Sequence, residues 1–178
     1  MPRIGMRTVK TAMAVTACLF AFMGLSYLGQ LLIYWDFLPG FGLFLTKQEP
    51  AFGCVAAIIC MQPTLETSLR NGAYRLLGTA AGGAVGMLFL WINHITLDGR
   101  LHILWIIVGI IIAIWLILLI KKPDAGGICA VTLVIVMLTV DRDSQFIYAL
   151  NRIIGTAIGI GVSVAVNRFV KPPKSTQE

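Results

Sequence analysis

The longest unbroken apolar run in the chain extends from Ile103 to Ile120 and holds eighteen residues without one polar side chain. At a rise of about 1.5 Å per residue, a helix of this length nearly crosses a hydrocarbon core of roughly 30 Å. Lys121 and Lys122 follow the run directly. Hydrophobic residues make up 58% of the 178 residues and charged residues 12%, which is more apolar surface than a soluble domain of this size can bury. The sequence therefore predicts a membrane protein.

Five further apolar segments lead to an all-α, polytopic fold with six transmembrane helices. Residues 1–170 would form this transmembrane domain, and residues 171–178 a short cytoplasmic tail. Two interpretations are open for the second segment, which is short: it begins at Pro50 and spans with a tilt, or it enters and leaves by the same face. The six segments are Thr11–Ile33, Ala51–Gln62, Leu76–Ile92, Ile103–Ile120, Ala125–Val140 and Ile147–Val166.

The basic residues predict the orientation of these segments. If all six cross, ten of the fourteen Lys and Arg residues lie on the side of the two termini, which is then the cytoplasmic side. The net charge of +6 comes from residues that flank spans and do not form a patch with interleaved aromatics. Anionic membrane lipids are therefore the expected contact, and nucleic acid is not. The ten residues are Arg3, Arg7, Lys10, Arg70, Arg75, Lys121, Lys122, Arg168, Lys171 and Lys174.

One twelve-residue stretch occurs twice. The sequence RLLGTAAGGAVG at Arg75–Gly86 returns 77 residues later as RIIGTAIGIGVS at Arg152–Ser163, with six identical positions. The copies open the third and sixth predicted segments, so each half of the chain holds three spans. Because three is odd, the halves would point opposite ways across the bilayer, as two inverted repeats at about 8–93 and 101–168.

Small residues recur every four positions within each copy of the repeat. On a helix this spacing forms one flat face, and flat faces let helix backbones approach closely in lipid. These positions are therefore predicted to pack helices together. They are Gly78, Gly82 and Gly86 in the first copy and Gly155, Gly159 and Ser163 in the second.

The repeated arginine and threonine are candidate solute-binding residues. A guanidinium presents a planar fork of donors that matches a carboxylate, and Arg152 falls about one turn inside the predicted sixth span, whereas Arg75 lies at the edge of the third. Thr79 and Thr156, one turn deeper, could each donate a hydroxyl. The alternatives are that the arginines extend to lipid headgroups and that the threonines bond to their own helix carbonyls.

Three stretches resemble the membrane domain of the bacterial aromatic acid exporter family, which includes fusaric acid resistance-like proteins. They are IGMRTVKTAMAV at residues 4–15, AAIICMQPTLETSL at residues 56–69 and RLLGTAAGGAVG. The similarity extends in order to NRIIGTAIGIGVSVAVN at residues 151–167. Gln62 of the MQPT element joins Arg75, Thr79, Arg152 and Thr156 as a substrate-binding candidate.

This resemblance implies a six-helix module of the bacterial inner membrane that takes part in efflux of aromatic or other organic acids. It also implies a distant relation to plant organic-anion channels. Family members usually carry a long C-terminal cytoplasmic helical domain, whereas this sequence ends about ten residues past its last predicted span. A homo-oligomer, or a partner subunit that supplies the missing part, is therefore expected.

Enzymatic, metal and cofactor chemistry are not expected. No Asp, Glu or His lies inside a predicted span, so a nucleophile with a base, or a pair of carboxylates, is missing at membrane depth. His94 and His102 flank a loop and have no third ligand nearby. Three classes are left: an organic-acid permease or exporter subunit, an anion channel, and a non-transporting scaffold. The four cysteines are interpreted as small buried apolar residues, at Cys18, Cys54, Cys60 and Cys129.

Overall fold

The computed structural model describes residues 6–97, 102–139 and 145–170. This described part contains α-helices, one short 3-10 turn at Pro123–Ala125, and no strands, so the all-α prediction is confirmed. The helices are α1 (Met6–Tyr34), α2 (Pro39–Thr46), α3 (Pro50–Cys60), α4 (Leu65–Leu97), α5 (His102–Leu119), α6 (Gly126–Thr139) and α7 (Gln145–Phe169).

The described helices indicate a multi-pass membrane protein, with fewer clear spans than the six predicted. Three stretches are long and apolar enough to cross a bilayer: Thr8–Tyr34, Leu65–Asn93 and Phe146–Phe169. The pair α2 and α3 passes the same test together, but a 57° bend separates its members, as in a broken span or a re-entrant loop. The apolar helices Ile103–Leu119 and Pro123–Leu138 are shorter. Large apolar side chains are exposed along α1 and α5, as expected for surfaces that face lipid.

The bent pair places a helix where the sequence analysis expected a loop. α3 starts at Pro50, as predicted for a spanning second segment, and α2 starts at Pro39, while the bend between them leaves the re-entrant alternative open. Proline suits the first position of a helix because its missing N–H would have no helical partner there. α2 packs on α1 through two glycines, since a Cβ on Gly42 would lie 2.7 Å from the Gly29 carbonyl oxygen and the reverse distance is also 2.7 Å.

α4 begins at Leu65, eleven residues before the start of the predicted third segment at Leu76. Thr64 precedes the first turn, and its Oγ1 accepts a hydrogen bond of 3.2 Å from the backbone N–H of Thr67. A threonine hydroxyl in this position caps an N–H that the helix leaves without a partner. Glu66 adds a negative charge in the same turn, which the helix dipole favours. The polar residues after Pro63 therefore extend the helix, although hydropathy alone assigned them to a loop.

The described chain divides into two compact units. Unit 1 comprises Met1–Gly72 with Gly155–Glu178, and unit 2 comprises Ala73–Ile154. The boundaries fall inside α4 and α7, so each of these helices contributes to both units.

Unit 1 is built around α1, α3 and the second part of α7. Its core joins Cys18 and Phe22 of α1 to Ala57 and Met61 on and just after α3, with Val162 of α7 packed against them. The glycine face of α7 lies directly on α3. A Cβ on Gly159 would collide with the backbone carbonyl of Gly53 and would lie 2.9 Å from the Ala56 Cβ.

Unit 2 is built around α5, α6 and the part of α4 that follows Gly72. Its core includes Phe89 of α4, Ala113 and Ile117 of α5, and Cys129 and Leu133 of α6. The glycine face of α4 lies on α6. A Cβ on Gly78 would lie 2.6 Å from the Ala125 carbonyl oxygen, one on Gly82 would collide with the Cys129 carbonyl, and one on Gly86 would lie 3.2 Å from Val136 Cγ1.

Candidate functional site

The repeated arginines lie well inside their helices. Arg75 is the eleventh residue of α4, and Arg152 is the eighth residue of α7. α4 begins at Leu65, so the helix extends ten residues before Arg75, the residue with which the predicted repeat opens. Arg75 is partly buried, and Arg152 is 7% exposed. Both are held within the fold and neither projects freely from a helix end.

The structure distributes the five substrate-binding candidates between the two units. Arg75, Thr79 and Arg152 belong to unit 2, while Gln62 and Thr156 belong to unit 1. Thr79 and Thr156 are both buried. The side-chain amide of Gln62 donates to the Ile59 carbonyl over 2.9 Å, so it caps the C-terminal end of α3.

A cluster of buried polar groups lies in unit 1, and we call Lys10, Gln62, Ser68 and Asn167 together the Lys10 centre. The Nζ of Lys10 donates to the Asn167 Oδ1 over 3.0 Å. The Asn167 Nδ2 donates to the Gln62 carbonyl and to the Ser68 Oγ, each over 3.0 Å. The Ser68 Oγ also accepts the Gln62 backbone N–H over 3.1 Å. The network thereby connects α1, α4, α7 and the end of α3.

These hydrogen bonds fix the orientation of the Asn167 amide. Its nitrogen can only donate, and it faces two acceptors, while its oxygen faces the ammonium. The flipped amide would place two donors against each other at Lys10. The side chains are deeply buried, with Lys10 6%, Ser68 0% and Asn167 8% exposed. The centre is therefore a fixed part of the interior and not a surface contact.

The electrostatics of the Lys10 centre are those of a cation beside neutral groups. The partner of the ammonium is an uncharged amide oxygen. All four acidic residues of the described part are exposed, namely Asp36, Glu49, Glu66 and Asp124. A buried charge is costly unless an opposite charge or a metal accompanies it. This chemistry suits the binding of an anion.

Sequence analysis missed Lys10, Ser68 and Asn167 as site residues. The sequence predicts Lys10 as a basic residue flanking the first span, and the structure buries its side chain in the protein interior. A signal was present, since Lys10, Ala14, Cys18 and Phe22 follow one another at spacings of four and are all buried. A lysine in phase with the packed face of a helix points inward, whereas a headgroup lysine needs no such phase.

Metal and thiol chemistry receive no support from the described residues. Within them, no group of three or more His, Cys, Asp or Glu side chains could hold a metal ion. All four cysteines are free thiols; Cys18, Cys60 and Cys129 are buried and Cys54 is partly buried. The side chains of His94 and His102 lie outside the described part, as does the tail at residues 171–178.

Comparison with known proteins gives one family and a group of bacterial relatives. Residues 31–166 match the model of the fusaric acid resistance protein-like family. A UPF0421 protein of Halalkalibacterium halodurans is 29% identical over 97% of this chain and 41% of its own length. UPF0421 proteins of Oceanobacillus iheyensis and Bacillus cereus are each 29% identical, over 70% and 68% of this chain and 34% and 32% of their own lengths. The chain thus spans about two fifths or less of these relatives. No solved structure matches.

Proposed function

The chain belongs to the fusaric acid resistance protein-like family, and from that premise we propose that it is a permease or exporter subunit for aromatic or other organic acids in the bacterial inner membrane. The family is transporter-like, and the described helices are those of a multi-pass membrane protein. The proposal includes a homo-oligomer or an assembly with a partner subunit. No chemical step and no cofactor are part of it.

One observation carries the choice of an anionic solute. The cationic side chain of Lys10 is more than nine-tenths buried beside a neutral amide, while every described carboxylate is exposed. Burying charge of one sign is unfavourable unless it serves a pathway or a ligand of the opposite sign. A membrane protein that keeps positive charge in its interior is suited to moving negative solutes. Arg75, Arg152, Thr79, Thr156 and Gln62 are the proposed solute-binding residues.

The packing inside each unit supports the proposed internal repeat. In unit 1, α3 contacts α1 and the glycine face of α7; in unit 2, α6 contacts α5 and the glycine face of α4. Each three-helix group therefore takes its third helix from the other half of the chain. The buried positions of α3 and of Met61 just after it recur 76 residues later, on α6. The pairs are Gly53 with Cys129, Ala56 with Thr132, Ala57 with Leu133, Cys60 with Val136, and Met61 with Met137. This arrangement is the one expected of two repeated halves that exchange a helix.

Solute flux tests the proposed function. Reconstituted into liposomes, the protein is expected to release entrapped terephthalate, an aromatic dicarboxylate, faster than protein-free liposomes do, because buried cations lower the cost of taking an anion from water. Release is followed as external terephthalate. Release of neutral glucose from the same liposomes is the control for leakage. Transport against a terephthalate gradient would identify an exporter, gradient-limited flux would identify an anion channel, and absence of flux would leave the scaffold alternative.

Labelling from outside the cell tests the proposed orientation. In a variant without native cysteines, Trp35→Cys is expected to react with a membrane-impermeant maleimide, and Glu66→Cys is not. The reason is that α1 would carry the chain out and the bent pair α2 and α3 would carry it back to the side of the termini. Reporter fusions at Met1 and Glu178 are expected to be cytoplasmic. External labelling of Glu66→Cys would show instead that the bent pair is re-entrant.

A further inference from the structure

We infer that the Lys10 centre is a binding subsite for the carboxylate of an organic anion. The inference deepens the proposed function and rests on it for the class of ligand. The subsite consists of the Lys10 ammonium and the Ser68 hydroxyl, held in place by Asn167 and the Gln62 backbone.

The hydrogen-bond inventory of the centre leaves donors on two side chains, Lys10 and Ser68. An ammonium has three N–H groups, and the described contacts of Lys10 use one of them, on Asn167. The Ser68 Oγ accepts from Gln62 and from Asn167, which occupies both of its lone pairs and leaves its O–H to donate. The ligand that complements two N–H groups and one O–H group is an acceptor with several lone pairs, and a carboxylate has about four acceptor sites on two oxygens.

The charge of the centre favours the same ligand. Lys10 is 6% exposed and its partner is a neutral amide. The acidic residue nearest in sequence on these elements, Glu66 of α4, is exposed, as is every other described acidic residue. A bound carboxylate would give the ammonium the counter-charge that the described chain does not provide, through charge-assisted hydrogen bonds.

The position of the centre explains how occupancy could affect transport. Lys10 lies near the start of α1, Gln62 just after α3, Ser68 in the first turn of α4, and Asn167 in the last turn of α7. One small cluster therefore holds four helix ends of unit 1 together. A carboxylate bound to the other N–H groups of Lys10 would share the ammonium with Asn167 and so change the link between α1 and α7.

Binding of benzoate, compared with its neutral isostere benzamide, tests the subsite. Isothermal titration of the purified protein is expected to show benzoate binding, with benzamide binding at least about tenfold weaker, because hydrogen bonds to charged groups are the stronger ones. Lys10→Gln is expected to weaken benzoate binding by a similar factor. The matched control is Arg70→Gln, an exposed cation two residues beyond Ser68, and it should leave the affinity unchanged. Equal binding by Lys10→Gln and the native protein would overturn the inference.

A second variant separates ligand binding from folding. Asn167→Asp keeps an oxygen beside Lys10 and supplies a built-in carboxylate, so it should abolish benzoate binding although the lysine is intact. A purely structural link between α1 and α7 makes the opposite prediction, with native benzoate binding and only a change in melting temperature. If Lys10→Gln fails to fold, benzoate binding by Asn167→Asp alone decides between a ligand subsite and a purely structural link.

Two further comparisons separate a lipid headgroup from a free carboxylate as the ligand, and separate failure of the subsite from failure of the proposed transport function. In nanodiscs, Lys10-dependent stabilisation by phosphatidylglycerol without any benzoate binding would assign the centre to a lipid headgroup and overturn the inference. Terephthalate flux with native benzoate affinity in Lys10→Gln would refute the subsite and keep the transport function. Lys10-dependent benzoate binding without flux would refute transport and keep the subsite.

Discussion

Gly159→Ala is expected to lower the amount of folded protein sharply, whereas Gly161→Ala, two residues away on the same helix, is not. A Cβ at position 159 would collide with the backbone carbonyl of Gly53, and a carbonyl held inside α3 cannot rotate away as a flexible side chain could. Overpacking a filled interior costs about 1–3 kcal/mol. A Cβ at position 161 meets no atom within 4 Å, and alanine is the better helix former.

The same comparison is available in unit 2. Gly82→Ala places a Cβ against the carbonyl of Cys129, while Gly83→Ala meets only the Ala149 Cβ at an ordinary 3.6 Å. The measurement is the yield of monodisperse protein after detergent extraction, together with its melting temperature. Similar losses in Gly82→Ala and Gly159→Ala, with Gly83→Ala and Gly161→Ala near native, are expected. Equal tolerance of all four changes would remove the glycine faces as helix contacts.

Much of the helical fold was predictable because hydropathy alone locates apolar helices. Each of the six predicted segments overlaps a helix of the described part over most of its length. α2 was missed since its eight residues contain two glycines, which suggest a turn, and only its contact with Gly29 of α1 explains why the helix forms. The start of α4 was missed because a threonine cap and an acidic first turn stabilise a helix without changing its hydropathy.

The candidate site was predictable only in part, for a physical reason. The repeat identified Arg152 because it places a charged side chain inside a predicted span, and the free-energy cost of such a charge marks the residue as a candidate from sequence alone. Lys10 gave only the weaker signal of its four-residue spacing from Ala14 and Cys18, since a lysine near the start of the first span has an ordinary explanation in lipid headgroups. Its burial depends on Asn167, which lies 157 residues away. A hydrogen bond between residues so distant in sequence leaves no local pattern.

Arg152→Gln is expected to reduce terephthalate flux strongly, and Arg152→Lys to reduce it to an intermediate level, with both proteins present at near-native amounts. Arg152 is 7% exposed in the interior of α7, and insertion scales place the cost of a charge at the centre of a spanning helix at about 2.5–3.5 kcal/mol. Lysine keeps the charge but loses the planar fork that can bind both oxygens of a carboxylate. Glutamine loses the charge as well, so its effect on flux should be larger.

An arginine that only reaches toward lipid headgroups predicts the opposite ranking for Arg152. Lysine would then be nearly silent because it extends to the interface equally well, and glutamine would lower abundance before it altered transport. Arg168→Gln is the matched control, since Arg168 is an exposed cation in the last turn of the same helix. Flux is divided by the amount of protein in the same liposomes, so that folding and recognition are measured separately. Native flux per molecule from a normally abundant Arg152→Gln protein would exclude a role for this arginine in recognising the solute, and the repeat would then serve helix packing alone.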